Sequence, residues 1–76
     1  MTGSDVRDLI VTMLVRKRGG GRMRWRTVVG EIRVYPLATH PHCNWRADPS
    51  GTVQEVEAVE RAIDLVSQDH PIVGAG

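Results

Sequence analysis

The spacing of apolar residues predicts an amphipathic helix near the start of the chain. Apolar residues recur there at intervals of three and four, which places them on one face of a helix. They are Val6, Leu9, Ile10, Met13 and Leu14. Ser4 is the expected N-cap, because its hydroxyl can accept a free N–H of the first turn. Gly19 follows three cations and is a typical helix-ending residue, so we expect a helix from about 5 to 18.

A different pattern follows in residues 22–35. In RMRWRTVV the cations alternate with Met23, Trp25 and Thr27, and this period of two predicts a half-buried strand. Gly30 marks a bend, and EIRVYP alternates again with Ile32 on its apolar side. The alternative is a third helix over residues 22–34, since some apolar residues there also fit helical spacing. They are Trp25, Val28, Val29 and Ile32. Gly30 and the β-branched run before it favour the strand.

The second half of the chain predicts a loop, a short strand and a second helix. Residues 36–42 form the loop, 43–47 a weak third strand, and DPSG a turn. Thr52 and Glu55 match a capping box, which predicts a helix from about 53 to 68 with a Glu57–Arg61 pair on its surface. The residue before a proline is pushed out of the α region, so His70-Pro71 should end this helix and leave 72–76 as a frayed tail.

These elements predict one small α+β domain covering residues 1–76, in the order αβββα. Two amphipathic helices, packed on a small antiparallel sheet that spans the β region 22–47, can bury each other's apolar faces. The chain has 76 residues, of which 41% are hydrophobic, and no Phe, so the core must be mainly aliphatic. A domain of this size buries only about 60% of its unfolded surface, which predicts modest stability.

Cysteine count and hydropathy indicate an intracellular, cytoplasmic protein with no membrane partner. The single cysteine cannot form an internal disulfide, whereas small secreted domains usually contain several. The first residues lack the layout of a signal peptide. No apolar run approaches the roughly 18 residues that a membrane-spanning helix needs.

Charge is segregated along the chain although the net charge is only +1. Residues 16–33 contain seven cations against Glu31, whereas residues 48–69 contain six acids against Arg61. We define the basic segment as residues 16–26, which has six cations and no acid. These cations are Arg16, Lys17, Arg18, Arg22, Arg24 and Arg26. On a strand the last three would lie on one face, about 7 Å apart, and could contact the phosphates of a nucleic acid. Trp25 could stack on a base if exposed, but its alternation with Met23 favours a place in the core.

The stretch THPHCNW is the candidate metal site. His40 and His42 would project from the same side of an extended chain, and Cys43 and His70 could complete four zinc ligands. The competing interpretation is a polar loop with Cys43 buried as a small apolar residue. A Cys43–His42 catalytic pair is disfavoured because adjacent extended residues diverge.

From the sequence we therefore expect a non-catalytic binding or adaptor module that contacts nucleic acid through the basic segment. One alternative is a zinc-binding domain that uses the histidines and Cys43. The other is a homodimer, in which the basic half of one copy meets the acidic half of another across a two-fold axis.

Overall fold

The computed structural model describes residues 1–74 and contains three helices and one two-stranded sheet. The elements are α1 (Gly3–Arg18), α2 (Arg22–Val29), β1 (Ile32–Val34), β2 (Trp45–Ala47) and α3 (Val53–Asp69). The strands pair antiparallel, with Ile32 opposite Ala47 and Val34 opposite Trp45. The α+β class is confirmed, but the order is ααββα rather than αβββα.

The predicted strand over residues 22–29 is wrong, because these residues form helix α2. Trp25, Val28 and Val29 are all buried, and their spacing of three and four puts them on one face of a helix. A strand would have turned Val28 to the opposite side, among Arg24 and Arg26. Gly30 does not bend a strand. It caps α2, and its N–H donates to the carbonyl of Arg26 at 3.0 Å.

Both long helices begin at a capping box. Thr52 and Glu55 form the predicted one at the start of α3. In α1 the N-cap is Thr2 rather than the predicted Ser4. The Thr2 N–H donates to Asp5 Oδ2 at 2.9 Å, and the Asp5 N–H donates to Thr2 Oγ1 at 3.3 Å. The acid three residues after Thr2 gives it the reciprocal partner of a capping box.

The core lies between the three helices and is closed by one strand and the C-terminal segment. All three helices contribute aliphatic residues, as the composition predicts, and two tryptophans complete the cluster. Its members are Val6, Ile10, Val11, Leu14, Trp25, Val28, Val29, Trp45, Ala58, Val59, Ala62, Val66 and Val73. The buried position of Trp25, which the sequence favoured, is observed.

The C-terminal segment is held in place as far as the structure describes it. Asn44 is 3% exposed, and its side chain bonds both the N–H and the carbonyl of Val73 at 2.8 Å. The Gly74 N–H donates to the Met1 carbonyl at 2.8 Å. Residues 72–74 are therefore anchored rather than frayed. Residues 75 and 76, the end of the predicted tail, lie outside the described part of the chain.

Candidate nucleic-acid interface

Three cations of the basic segment lie together in the last turn of α1. Arg16, Lys17 and Arg18 are exposed, and none forms an ion pair within residues 1–74. The C-terminus of a helix carries partial negative charge, so cations stabilise this turn. The same cations are free to contact an external anion.

Gly19, Gly20 and Gly21 turn the chain from α1 into α2, and Trp25 holds this turn in place. The Trp25 indole N–H donates to the Gly19 carbonyl at 2.8 Å, and the residue is only 7% exposed. A buried indole cannot stack on a base. Trp25 therefore positions the basic segment instead of contacting a ligand.

The helical conformation of α2 separates the three arginines that the sequence placed on one strand face. Successive residues of a helix are rotated by about 100°, so Arg22 and Arg26 lie one turn apart while Arg24 points to another side. The Arg22 guanidinium donates to Thr12 Oγ1 on α1 at 3.0 Å. Arg26 is exposed and forms no ion pair within residues 1–74.

Arg24 is committed to an internal ion pair with Glu55 at the start of α3. Its Nε donates to Glu55 Oε2 at 2.8 Å and its Nη2 donates to Oε1 at 2.6 Å. The bond from Arg24, followed by the bond from the Thr52 N–H, lowers the pKa of Glu55 to about 2. The same ion pair raises the pKa of Arg24. Arg24 is therefore a link between α2 and α3 and not a free phosphate contact.

The outer face of α2 combines one apolar side chain with one free cation. Met23 is 83% exposed, so it lies opposite the buried Trp25 and not beside it as alternation predicted. Thr27 is exposed on the same side, and its hydroxyl donates to the Met23 carbonyl at 3.0 Å. Arg26 flanks this face. The arrangement can contact a phosphate through Arg26 and an apolar group through Met23.

The acidic side of the molecule is the outer face of α3. Glu57, Glu60 and Asp64 are exposed and lie on one side of the helix at spacings of three and four. The predicted ion pair between Glu57 and Arg61 is wrong, since Arg61 pairs with no acid within residues 1–74. The exposed acids of α3 are thus separate from the cations at the end of α1, although Arg46 of β2 lines a depression with Glu60 and Asp64.

The candidate zinc ligands occupy different settings. His40 is exposed, its ring is stacked on Tyr35 at 4.3 Å, and its Nδ1 is 2.8 Å from Thr39 Oγ1. His42 is exposed, whereas Cys43 is half-buried with its thiol donating to the Trp45 carbonyl at 3.5 Å. His70 caps α3. Within residues 1–74, no three His, Cys, Asp or Glu side chains are grouped so that they could hold a metal ion.

The sequence did not indicate the structural contacts of three further residues. Thr12 receives Arg22, Arg61 lies beside the cations at the end of α1, and Asn44 anchors the C-terminal segment. Only Arg61 carries a sequence signal, as the lone cation of an acidic helix. The contacts of Thr12 and Asn44 depend on which elements pack together, and no local pattern indicates them.

No protein-family model, curated protein or solved structure matches this chain. Over residues 1–74, none of the helices combines the length and the apolar character that crossing a membrane requires.

Proposed function

We propose that this chain is a non-catalytic nucleic-acid-binding module that contacts its ligand through the basic segment. The observation that carries the proposal is the cluster of exposed cations around the glycine turn, none of which pairs with an acid of residues 1–74. The cluster comprises Arg16, Lys17, Arg18, Arg22 and Arg26. Clustered cations on one face are the electrostatic footprint of phosphate binding.

The backbone around these cations supports the proposal. Two helices joined by a three-residue glycine turn have the connectivity of a helix–turn–helix, in which the second helix contacts base edges and the first crosses the backbone. In that orientation Arg26 and Met23 of α2 approach the groove, and Arg16 and Lys17 of α1 approach the phosphates. The likeness to a helix–turn–helix is one of connectivity only, and the exposed cations carry the proposal.

The acidic face of α3 supports a defined orientation of the ligand. Glu57, Glu60 and Asp64 repel phosphate and disfavour binding through that side of the molecule. A protein with a net charge of only +1 can then bind a polyanion, because five of its ten cations lie near the glycine turn and pair with no acid of residues 1–74.

Fluorescence anisotropy with a labelled mixed-sequence DNA duplex and with a single strand, over a series of NaCl concentrations, tests the proposal. We expect the affinity to fall steeply with salt. The double variant Arg22→Gln/Arg26→Gln should weaken binding. It should also reduce the slope of log K against log[salt] by about 1 for each arginine that no longer neutralises a phosphate.

The matched control is Arg33→Gln/Arg46→Gln, which removes the same charge from the β-hairpin. It should retain the affinity and slope of the parent protein. Arg24 is left intact in both variants. Its loss would remove the ion-pair partner of Glu55, so a change in affinity could then come from lower stability. Absence of binding to either probe at low salt would refute the proposal, and so would an equal loss of affinity in the hairpin control.

A further inference from the structure

A groove lies between the C-terminal half of α1 and the middle of α3. We call it the α1/α3 groove, and its volume is about 290 Å³. Its apolar lining is entirely aliphatic or thioether. These residues are Met13, Leu14, Ala58, Ala62 and Leu65. Ala58 and Ala62 are one turn apart on α3, so their short side chains leave a depression between the helices.

Only cations line the polar part of the α1/α3 groove. Lys17 and Arg18 extend from α1, and Arg61 extends from α3. The groove lining contains no carboxylate, and none of the three cations pairs with an acid elsewhere in residues 1–74. An apolar surface flanked on both sides by unneutralised positive charge is complementary to an apolar surface flanked by acids.

Part of the apolar lining is open to solvent, although Leu14, Ala58 and Ala62 at its base are buried. Leu65 is 46% exposed, and Met13 is half-buried. Glu57 and Asp64 lie four residues before and three residues after Arg61 on α3, but neither forms an ion pair with a groove cation in residues 1–74. An exposed apolar patch beside a polar rim is typical of a surface that binds a partner.

We propose that the α1/α3 groove binds an acidic amphipathic helix of a partner protein. Leucine-like side chains one turn apart would enter the groove, as in other helix-in-groove complexes. Acidic residues beside them would meet Lys17, Arg18 and Arg61. The volume of about 290 Å³ is just below the 300–1,000 Å³ typical of small-molecule pockets, so the groove suits one or two side chains better than a cofactor. A nucleic acid fits less well, because the lining offers no aromatic ring on which a base can stack.

The direct test uses a synthetic helix of leucine and glutamate with leucines one turn apart, titrated into the isotope-labelled full chain and followed by amide NMR. One companion peptide carries lysine in place of glutamate, and another has the same composition with scrambled leucine spacing. We expect shifts at Met13, Lys17, Arg61 and Leu65. The acidic peptide should bind at least roughly tenfold more tightly than either companion.

Matched variants assign the binding to the groove. Leu65→Gln and Arg61→Glu should each lower the affinity for the acidic peptide roughly tenfold. Leu37→Gln removes a comparably exposed leucine from the loop between the strands, and Arg46→Glu reverses a cation on β2, so both should leave binding unchanged. Thermal unfolding of each variant distinguishes lost binding from lost folding.

The outcomes separate this proposal from the nucleic-acid proposal. Arg22→Gln/Arg26→Gln should leave peptide affinity intact, and Leu65→Gln should leave nucleic-acid affinity intact, so either proposal can fail alone. No groove shifts up to the solubility limit of the peptide would overturn the groove proposal. It would also be overturned by equal binding of the lysine peptide, or by shifts at the apolar groove residues Met13 and Leu65 with DNA but not with the acidic peptide.

Discussion

Arg24 and Glu55 are 31 residues apart in the chain, and their side chains form two parallel hydrogen bonds of 2.8 and 2.6 Å. Glu55 Oε1 also accepts the Thr52 N–H at 2.9 Å, so one carboxylate both caps α3 and holds α2. Bidentate pairing of arginine with a carboxylate is among the stronger hydrogen-bonded arrangements in proteins. The loss of Glu55 should therefore disturb two helices at once.

The first prediction is a loss of stability in acid that depends on Glu55. Its pKa is about 2 in the folded protein, below the ordinary value of 4.5. In the intervening range the unfolded chain binds more protons than the folded one, so unfolding becomes easier as the pH falls. The contribution of Glu55 is complete above about pH 5 and disappears as the pH approaches 2. Urea unfolding at a series of pH values measures this change.

Two substitutions isolate the effect of Glu55. Glu55→Gln should lower stability at pH 7 and flatten its dependence on pH between 5 and 2. Glu57→Gln removes an acid from the same helix without touching the cap, so it should keep the parent's dependence. Asp5, whose pKa is lowered mainly by the bond from the Thr2 N–H, retains its own contribution in both variants. Parallel curves for Glu55→Gln and the parent protein would contradict the prediction.

The second prediction concerns Asn44, which joins the hairpin to the C-terminal segment. Its amide donates to the carbonyls of Val73 and Tyr35, and its Oδ1 accepts the Val73 N–H. Asn44→Ala should cost on the order of 2–3 kcal/mol, because buried groups of Val73 lose their partners. This corresponds to a fall of roughly 10–20 °C in Tm for a domain of this size.

Asn44→Asp provides a sharper form of the same test. The carboxylate cannot donate to the two carbonyls when it is ionised, so this variant should be less stable at pH 7 than at pH 4 relative to the parent protein. Gln54→Ala, on the exposed surface of α3, is the neutral reference. Unfolding curves that coincide with those of the parent protein would show that Asn44 is dispensable.

The comparison of α1 with α2 shows how far the sequence alone could determine this fold. In α1, five apolar residues repeat over about two and a half turns, and this spacing is typical of a helix. In α2, Trp25, Val28 and Val29 span only five residues, so their helical spacing did not outweigh the alternating cations and β-branched residues that favour a strand. The choice depends on α1 and α3, which bury all three residues on one side. Packing against α1 and α3 therefore determines that residues 22–29 are helical, which local propensity alone does not.

The candidate interface was predictable to the same extent. The sequence identifies the cations of the basic segment, because charge is visible in the composition. The sequence does not indicate that Arg24 pairs with Glu55 while Arg26 forms no ion pair within residues 1–74, since that difference depends on how α2 and α3 pack. Arg61 joins Lys17 and Arg18 for the same reason, although it is more than 40 residues distant in the chain.

The third prediction concerns Gly51, which lies next to the Arg24–Glu55 pair. Its φ is 145°, a conformation that residues with a Cβ rarely adopt, and a Cβ here would lie 2.7 Å from Glu55 Oε1. Gly51→Ala should therefore cost on the order of 1–3 kcal/mol through backbone strain and displacement of the carboxylate. Ser50→Ala, at the preceding exposed position, should be nearly neutral. If the pair is displaced, Gly51→Ala will also show the weaker acid dependence of Glu55→Gln.

The fourth prediction uses two neighbouring glycines of the turn that carries the basic segment. Gly21 is the N-cap of α2, but α2 has no side-chain cap, and nothing lies within 4 Å of the position that a Cβ would occupy. Gly21→Ser should supply the missing acceptor and raise stability by a few tenths of a kcal/mol. Gly20 has a φ of 87°, so Gly20→Ser should lower stability by about 1 kcal/mol.

The same two variants test whether the backbone geometry of the glycine turn affects nucleic-acid binding by positioning the cations. The charge of the protein is identical in both, so a difference in nucleic-acid affinity must come from the backbone. Gly21→Ser should bind DNA at least as well as the parent protein, because it stabilises the helix that carries Arg22 and Arg26. Gly20→Ser should bind more weakly even at temperatures where it is fully folded, since relief of its backbone strain would shift the turn that the Trp25 indole holds. Equal affinities in folded samples would mean that the cations act as a diffuse charge, independent of the geometry of the turn.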